Sequence, residues 1–182
     1  MDLPKIKDLI SCGDQEYLEN LTRLLIRSGF SSSGVFIEDL TPQEALNIGK
    51  RQGPREATRR VTCEDPNLAY YYARDVDKGP RDDTRLAACE NPGMAYWYAR
   101  YVDEGPREDT RRVACEDPHY AYQYARFVDK GPRDDTRLAA CGNPEWAYRY
   151  ARFVDQRFQE ETWTSVRGTD WESRYPIWVS GT

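Results

Sequence analysis

Between Gly53 and Gln156 a 26-residue unit recurs four times without insertion or deletion, over 53–78, 79–104, 105–130 and 131–156. A fixed period of this length belongs to a stacked array of small supersecondary units, each burying its apolar side only against its neighbours. The period excludes most closed globular folds and directs attention to an extended face. High polarity fits such an array, because each unit needs to cover only the next. Mean hydropathy is −0.87 and charged residues make up 31%, yet aromatic residues reach 13% and the periodicity is strict, which argues against disorder.

The third unit, GPREDTRRVACEDPHYAYQYARFVDK, shows the punctuation. Gly105 is expected to end the preceding helix in a left-handed conformation. Pro106 is expected to open a short helix, partly 3₁₀, with Glu108 and Asp109 facing the positive end of its dipole. Asp117 is the expected N-cap and Pro118 the first residue of a second helix, with Asp65, Asn91 and Asn143 in the same cap position elsewhere. Helices this short do not hold themselves. The sequence therefore predicts an all-α solenoid of stacked helix pairs.

On the second helix, Ala121, Tyr124, Ala125 and Val128 fall at i, i+3, i+4 and i+7, and the same residue types occupy those positions in all four units. This is the expected stacking seam. Tyr122, Arg126 and Asp129 form a second stripe, in which Arg–Asp pairing and packing of Arg on Tyr would tie neighbours together. On the short helix Arg59, Arg85, Arg111 and Arg137 are constant. They read as an inter-repeat ladder bridging acidic residues next door, or alternatively as a row of phosphate-binding arginines. Cys63, Cys89, Cys115 and Cys141 share one position. Neighbouring units lie about 8–10 Å apart, beyond the reach of a disulfide, so these read as small buried thiols in a reducing compartment and not as a metal ladder.

Recognition is expected where the units differ on a constant frame. Those positions are Leu68, Tyr71 and Asp75; Met94, Trp97 and Tyr101; Tyr120, Gln123 and Phe127; and Trp146, Arg149 and Phe153. Their spacing sets them on one side, rich in the aromatic and Met residues that dominate interfaces. The competing expectation is that these side chains fill gaps between units. A period of 52 also shows: Arg60 and Arg112 alternate with Leu86 and Leu138, through duplication of a two-unit segment or alternating exposure of the short helices.

Residues 1–52 read as a helical N-terminal cap, with helices over 4–11 and 15–27, a stop at Gly29, an SSSG loop and a capping box of Thr41 with Glu44. Too few basic residues favour a DNA-binding helix-turn-helix there. Residues 157–182 read as a broken fifth unit, Glu160, Glu161 and Thr162 aligning with Asp134, Asp135 and Thr136. Trp163, Trp171 and Trp178 then form a terminal cap or a docking patch.

The repeats carry net charges of 0, −2, 0 and 0, and the whole chain −5. No basic stripe of the kind nucleic-acid binding draws on emerges. No apolar run reaches membrane-spanning length and the start lacks a signal-peptide core, so a cytoplasmic location is expected. Catalytic motifs are missing: the one histidine, His119, sits in a variable position, and neither a phosphate loop, a zinc spacing nor a nucleophile elbow occurs. An enzyme, a cofactor and a metal are therefore not expected.

The run DDTRLAACENP resembles the leucine-rich variant repeat of bacteria across the four units. That resemblance implies a right-handed superhelix of paired α and 3₁₀ helices. Ala and Tyr in AYxYA depart from the family's leucines, and the cysteine-rich segment that carries an iron–sulfur cluster in some such arrays has no counterpart. The functional expectation is a non-enzymatic protein-binding module using Tyr71, Met94, Trp97, Tyr101, Tyr120, Phe127, Trp146, Arg149 and Phe153. The alternatives are nucleic-acid binding through Arg59, Arg85, Arg111 and Arg137, or a small acidic inhibitor of a host nuclease of the sort that mobile elements encode.

Overall fold

The computed structural model describes residues 40–175. The two expected N-terminal helices, the Gly29 stop, the SSSG loop and Trp178 lie outside them. Among the described residues there are ten α-helices and no strand. They are α1 (Pro42–Gln52), then the pairs α2 (Glu56–Thr62) and α3 (Pro66–Tyr72), α4 (Asp82–Ala88) and α5 (Pro92–Tyr101), α6 (Glu108–Ala114) and α7 (Pro118–Tyr124), α8 (Asp134–Ala140) and α9 (Pro144–Tyr150), and finally α10 (Glu160–Val166). The pairs pack successively, as an all-α repeat solenoid.

The caps form as their chemistry requires. Asp65, Asn91, Asp117 and Asn143 each accept from backbone N–H groups in the first turn of a second helix, with proline next in line. Thr41 and Glu44 close a reciprocal capping box on α1. The first helices begin later than expected. Pro106 lies outside the helix, Arg107 is the cap residue in extended conformation, and α6 starts at Glu108. All four first helices are α-helical, with a tighter bond only at the exit, where Glu116 N–H donates to the Val113 carbonyl at 3.0 Å.

The ends of the second helices also correct the sequence reading. Left-handed conformation falls on Lys78, Glu104 and Lys130, one residue before the expected glycines, and on Gln156, which Arg157 follows. Three of the helices widen into a π-turn, over Ala73–Asp77, Ala125–Asp129 and Ala151–Asp155. There the N–H of Lys78, Lys130 or Gln156 reaches the carbonyl five residues back. In the second unit a single such bond, Asp103 N–H to the Tyr98 carbonyl at 3.0 Å, does the same job.

Apolar contact couples one unit to the next. Tyr70, Ala73, Ala88, Tyr98 and Val102 form one cluster across the first and second units. Tyr96, Ala99, Ala114, Tyr124 and Val128 form its equivalent across the second and third. Tyr122, Ala125, Ala140, Tyr150 and Val154 do so across the third and fourth. The alanines and tyrosines of the seam are fully buried: Ala121, Tyr124 and Ala125 each show 0% exposure. Each second helix packs most extensively on the first helix of the following unit.

Within a unit the ties are polar. The Tyr124 hydroxyl lies 2.9 Å from Thr110 Oγ1, accepts from the Arg107 N–H at 2.9 Å and sits 3.1 Å from the Arg107 carbonyl. Tyr72, Tyr98 and Tyr150 repeat this arrangement with Thr58, Thr84 and Thr136. The hydroxyl thereby serves a cap residue whose own side chain makes no capping bond.

Both ends reuse half a unit. α1 begins at Pro42 as a second helix begins at Pro66; its Ala45 and Gly49 are buried, and it packs on α2 as each second helix packs on its successor. A Cβ on Gly49 would stand 2.7 Å from the Tyr72 ring, so only glycine permits this approach. At the other end α10 is a first helix with no second helix after it among the described residues, and Tyr175 supplies the equivalent hydroxyl, 2.6 Å from Thr162 Oγ1. Trp163 and Trp171 pack beside Tyr148, Ala151 and Val166 over the last unit.

Candidate functional site

The constant arginines of the first helices are structural: their main partners lie within the same repeat, and Arg59 Nη1 also approaches Asp83 of the next unit at 3.9 Å. Arg111 Nε and Nη2 grip Asp129 at 3.1 and 2.8 Å, while Nη1 reaches Glu108 at 3.0 Å. Arg59, Arg85 and Arg137 hold Asp77, Asp103 and Asp155 in the same way. All four arginines are buried. Hydrogen bonds donated to Asp77 and Asp129 raise Arg59 and Arg111 above the ordinary guanidinium value. For Arg85 and Arg137 burial opposes the charge, and bonds to Asp103 with Asp82, and to Asp155 with Asp134, outweigh it. A carboxylate already occupies the fork that a phosphate would need.

Pairing of these aspartates with the first helices changes the reading of the second stripe. Arg74, Arg100, Arg126 and Arg152 do not meet Asp77, Asp103, Asp129 and Asp155. They lie instead on tyrosine and phenylalanine rings. Arg100 sits 5.1 Å from the Tyr101 centroid and 4.4 Å from that of Phe127 in the next unit. Arg126 sits 5.0 Å from Phe127 and 4.6 Å from Phe153. Rings and guanidiniums thus alternate along the array as Tyr101, Arg100, Phe127, Arg126, Phe153, Arg152. Between the second and third units this face opens into a groove of about 300 Å³, lined by Arg100, Tyr101, Glu104, Phe127, Val128 and Lys130.

The residues expected to bind a partner divide into two groups. Met94, Trp97, Tyr120, Phe127 and Trp146 are half-buried against the seam clusters. Trp146 stacks on His119 at 4.3 Å and on Tyr122 at 5.6 Å. Tyr71, Tyr101 and Phe153 are exposed at 39%, 44% and 38%, and Trp97 stacks on Tyr101 at 5.3 Å. Arg149 is half-buried over Trp146 and paired with Glu145 at 2.8 Å. The variable side is therefore neither wholly filler nor wholly free: its base packs the array and its crest faces solvent.

The arginines of the crest were missed as site residues because their constancy reads as structural. The available signal was that aspartate eighteen residues after the first-helix arginine is equally constant, which leaves one aspartate for two arginines. On the short helices Leu86 and Leu138 are the most exposed large apolar residues, at 65% and 60%. Arg60 and Arg112 are exposed at the same position, so the 52-residue alternation changes residue type and not exposure.

The four repeat cysteines are free thiols, half-buried. Burial first, and then the carboxylates Asp83, Asp109, Asp135 and Glu161 of the following units, push them up to about 12, 11, 12 and 11 for Cys63, Cys89, Cys115 and Cys141. They are protonated and weakly nucleophilic near neutrality. Among the described residues no group of three His, Cys, Asp or Glu side chains is arranged to hold a metal ion, and no helix is long and apolar enough to cross a membrane. Comparison with protein-family models, curated proteins and solved structures returns no match.

Proposed function

We propose that the chain is a non-enzymatic protein-binding repeat module, working in a reducing compartment, whose docking face is the crest of the second helices. The observation that carries this reading is the exposure of Tyr71, Tyr101 and Phe153 on a frame that buries the equivalent seam residues completely. Large rings held by guanidiniums on a rigid surface combine little entropy loss on binding with a large contact area. The occupied forks of Arg59, Arg85, Arg111 and Arg137 weigh against the nucleic-acid alternative. Action as an acidic inhibitor would be one form of this same protein binding.

A photocrosslinking residue placed at Tyr101 or Phe153 tests the reading. Adducts of discrete protein mass are expected from these positions and not from Leu86, on the short helices. Adducts from neither crest position, together with salt-sensitive retention of nucleic acid, would overturn it.

A further inference from the structure

The first repeat holds a clue to the chemistry that the crest reads. Arg74 uses Nη1 to donate to the Tyr70 hydroxyl at 3.2 Å, and Nε and Nη2 to donate to the two carboxylate oxygens of Asp75 at 2.6 and 3.2 Å. Lys50 of α1 closes on the same carboxylate at 3.1 Å. In the next three units Arg100, Arg126 and Arg152 keep the Nη1 bond, to Tyr96, Tyr122 and Tyr148. The position of Asp75 is taken there by Tyr101, Phe127 and Phe153. Nε and Nη2 of these arginines therefore have no carboxylate among the described residues, and the same side-on fork that Asp75 fills stands open three times in succession.

We propose that Arg100, Arg126 and Arg152 form a carboxylate-reading row that takes an extended acidic peptide segment, one Asp or Glu per unit, with Asp75 as the internal stand-in for that ligand. The inference rests on the protein-binding reading above and specifies its partner. Adjacent packed helices lie about 8–10 Å apart, and an extended chain advances about 3.3 Å per residue. The ligand's acidic residues accordingly recur at every third position. Tyr101, Phe127 and Phe153 flank the forks and cover the stems of the intervening side chains, and the groove beside Arg100 gives them room. Three forks suit discrete carboxylates, whereas a phosphate backbone draws its affinity from many contacts.

The test uses the full chain and a fluorescent peptide with Glu at every third position, three in all, beside its Gln twin and an oligothymidylate. The Glu peptide is expected to bind at least about tenfold more tightly than the Gln twin, with the difference shrinking as salt rises. Arg126→Gln is expected to weaken it by about tenfold, and Arg126→Lys, which keeps charge but lacks the fork, to weaken it as well. Phe153→Asp, at an exposed position outside the seam clusters, supplies an internal carboxylate to Arg152, as Asp75 does to Arg74, and is expected to weaken binding while leaving the melting temperature within a few degrees. Asp75→Tyr opens a fourth fork and is expected to tighten a four-Glu peptide by about tenfold. Equal affinity for the Glu and Gln peptides, no binding of either, indifference to both Arg126→Gln and Phe153→Asp, or preference for the oligothymidylate each overturns the proposal. Crosslinking of a protein at Tyr101 alongside equal affinity for the two peptides would sink this inference and leave the protein-binding reading standing.

Discussion

The Tyr124 hydroxyl serves three groups at once: the N–H and carbonyl of Arg107 and the hydroxyl of Thr110. Tyr124→Phe would keep the packing and leave the Arg107 N–H unmet, while the Arg107 carbonyl keeps the Arg111 N–H and the Thr110 hydroxyl. A loss of about 1–3 kcal/mol in urea unfolding is expected. Arg111→Met should cost more, about 3–5 kcal/mol, because Asp129 would remain buried without its partner. The double variant Arg111→Met with Asp129→Leu is expected to recover most of that loss, and its failure to do so would show that the pair does more than neutralise itself. The buried thiols and phenols set an alkaline limit. Burial pushes Tyr98 and Tyr124 up and Tyr150 up to about 12, alongside the four thiols. Groups whose folded values are raised give up their protons first in the unfolded chain, so stability is complete below about pH 8.5 and falls as pH rises through the folded values near 11 and 12. Urea midpoints measured from pH 7 to 11.5 are expected to be flat and then to decline. Replacing the four cysteines by alanine should make the decline shallower.

At the scale of the helix, the N-caps and the Ala/Tyr/Val seam were legible because each depends on residue type at fixed local spacing. Asp117 caps where an Asp-Pro step leads one to expect a cap, and Ala121, Tyr124 and Ala125 are buried where a 3.6-residue period places them. The pairing of Arg111 with Asp129, and of Thr110 with Tyr124, was not legible: these residues lie eighteen and fourteen apart and meet only when the pair folds. The π-turn was hidden for a similar reason. Ala125–Asp129 has the composition of an ordinary helix end, and tertiary contacts select the wider turn. One result is a left-handed lysine, Lys130, at φ 57, followed by a glycine that needs no special conformation. Lys130→Gly is therefore expected to raise stability by up to about 1 kcal/mol. Gly131→Ala, with nothing within 4 Å of a built Cβ, is expected to be neutral or slightly stabilising. The opposite ranking of the two variants in thermal melts would contradict this assignment of the turn.

The molecule as a whole separates two tasks. Polar bonds give each unit its shape, and the apolar seam joins one unit to the next, so the array can be shortened without opening a core. Half-units flank the repeats, α1 before them and α10 with Tyr175 after them. The alternation of Arg60 and Arg112 with Leu86 and Leu138 indicates which segment is exchangeable. Deleting residues 79–130 removes one period of 52 and sets the first unit against the fourth, whose RLAAC short helix matches that of the second. The new junction joins Lys78 to Gly131 in the register that Lys78 and Gly79 have now. Tyr70 and Ala73 would meet Ala140, Tyr150 and Val154 in place of Ala88, Tyr98 and Val102. A single cooperative unfolding transition is expected, with unchanged helicity per remaining residue and a urea m-value reduced roughly in proportion to the surface removed. Deleting residues 79–117, one and a half units, leaves two second helices in sequence: α3 loses the first helix it packs on, and α7 loses the first helix of its own unit. Loss of cooperative unfolding is expected for that shorter deletion. Should both deletions unfold alike, the seam does not act unit by unit, and the stability of the array is global.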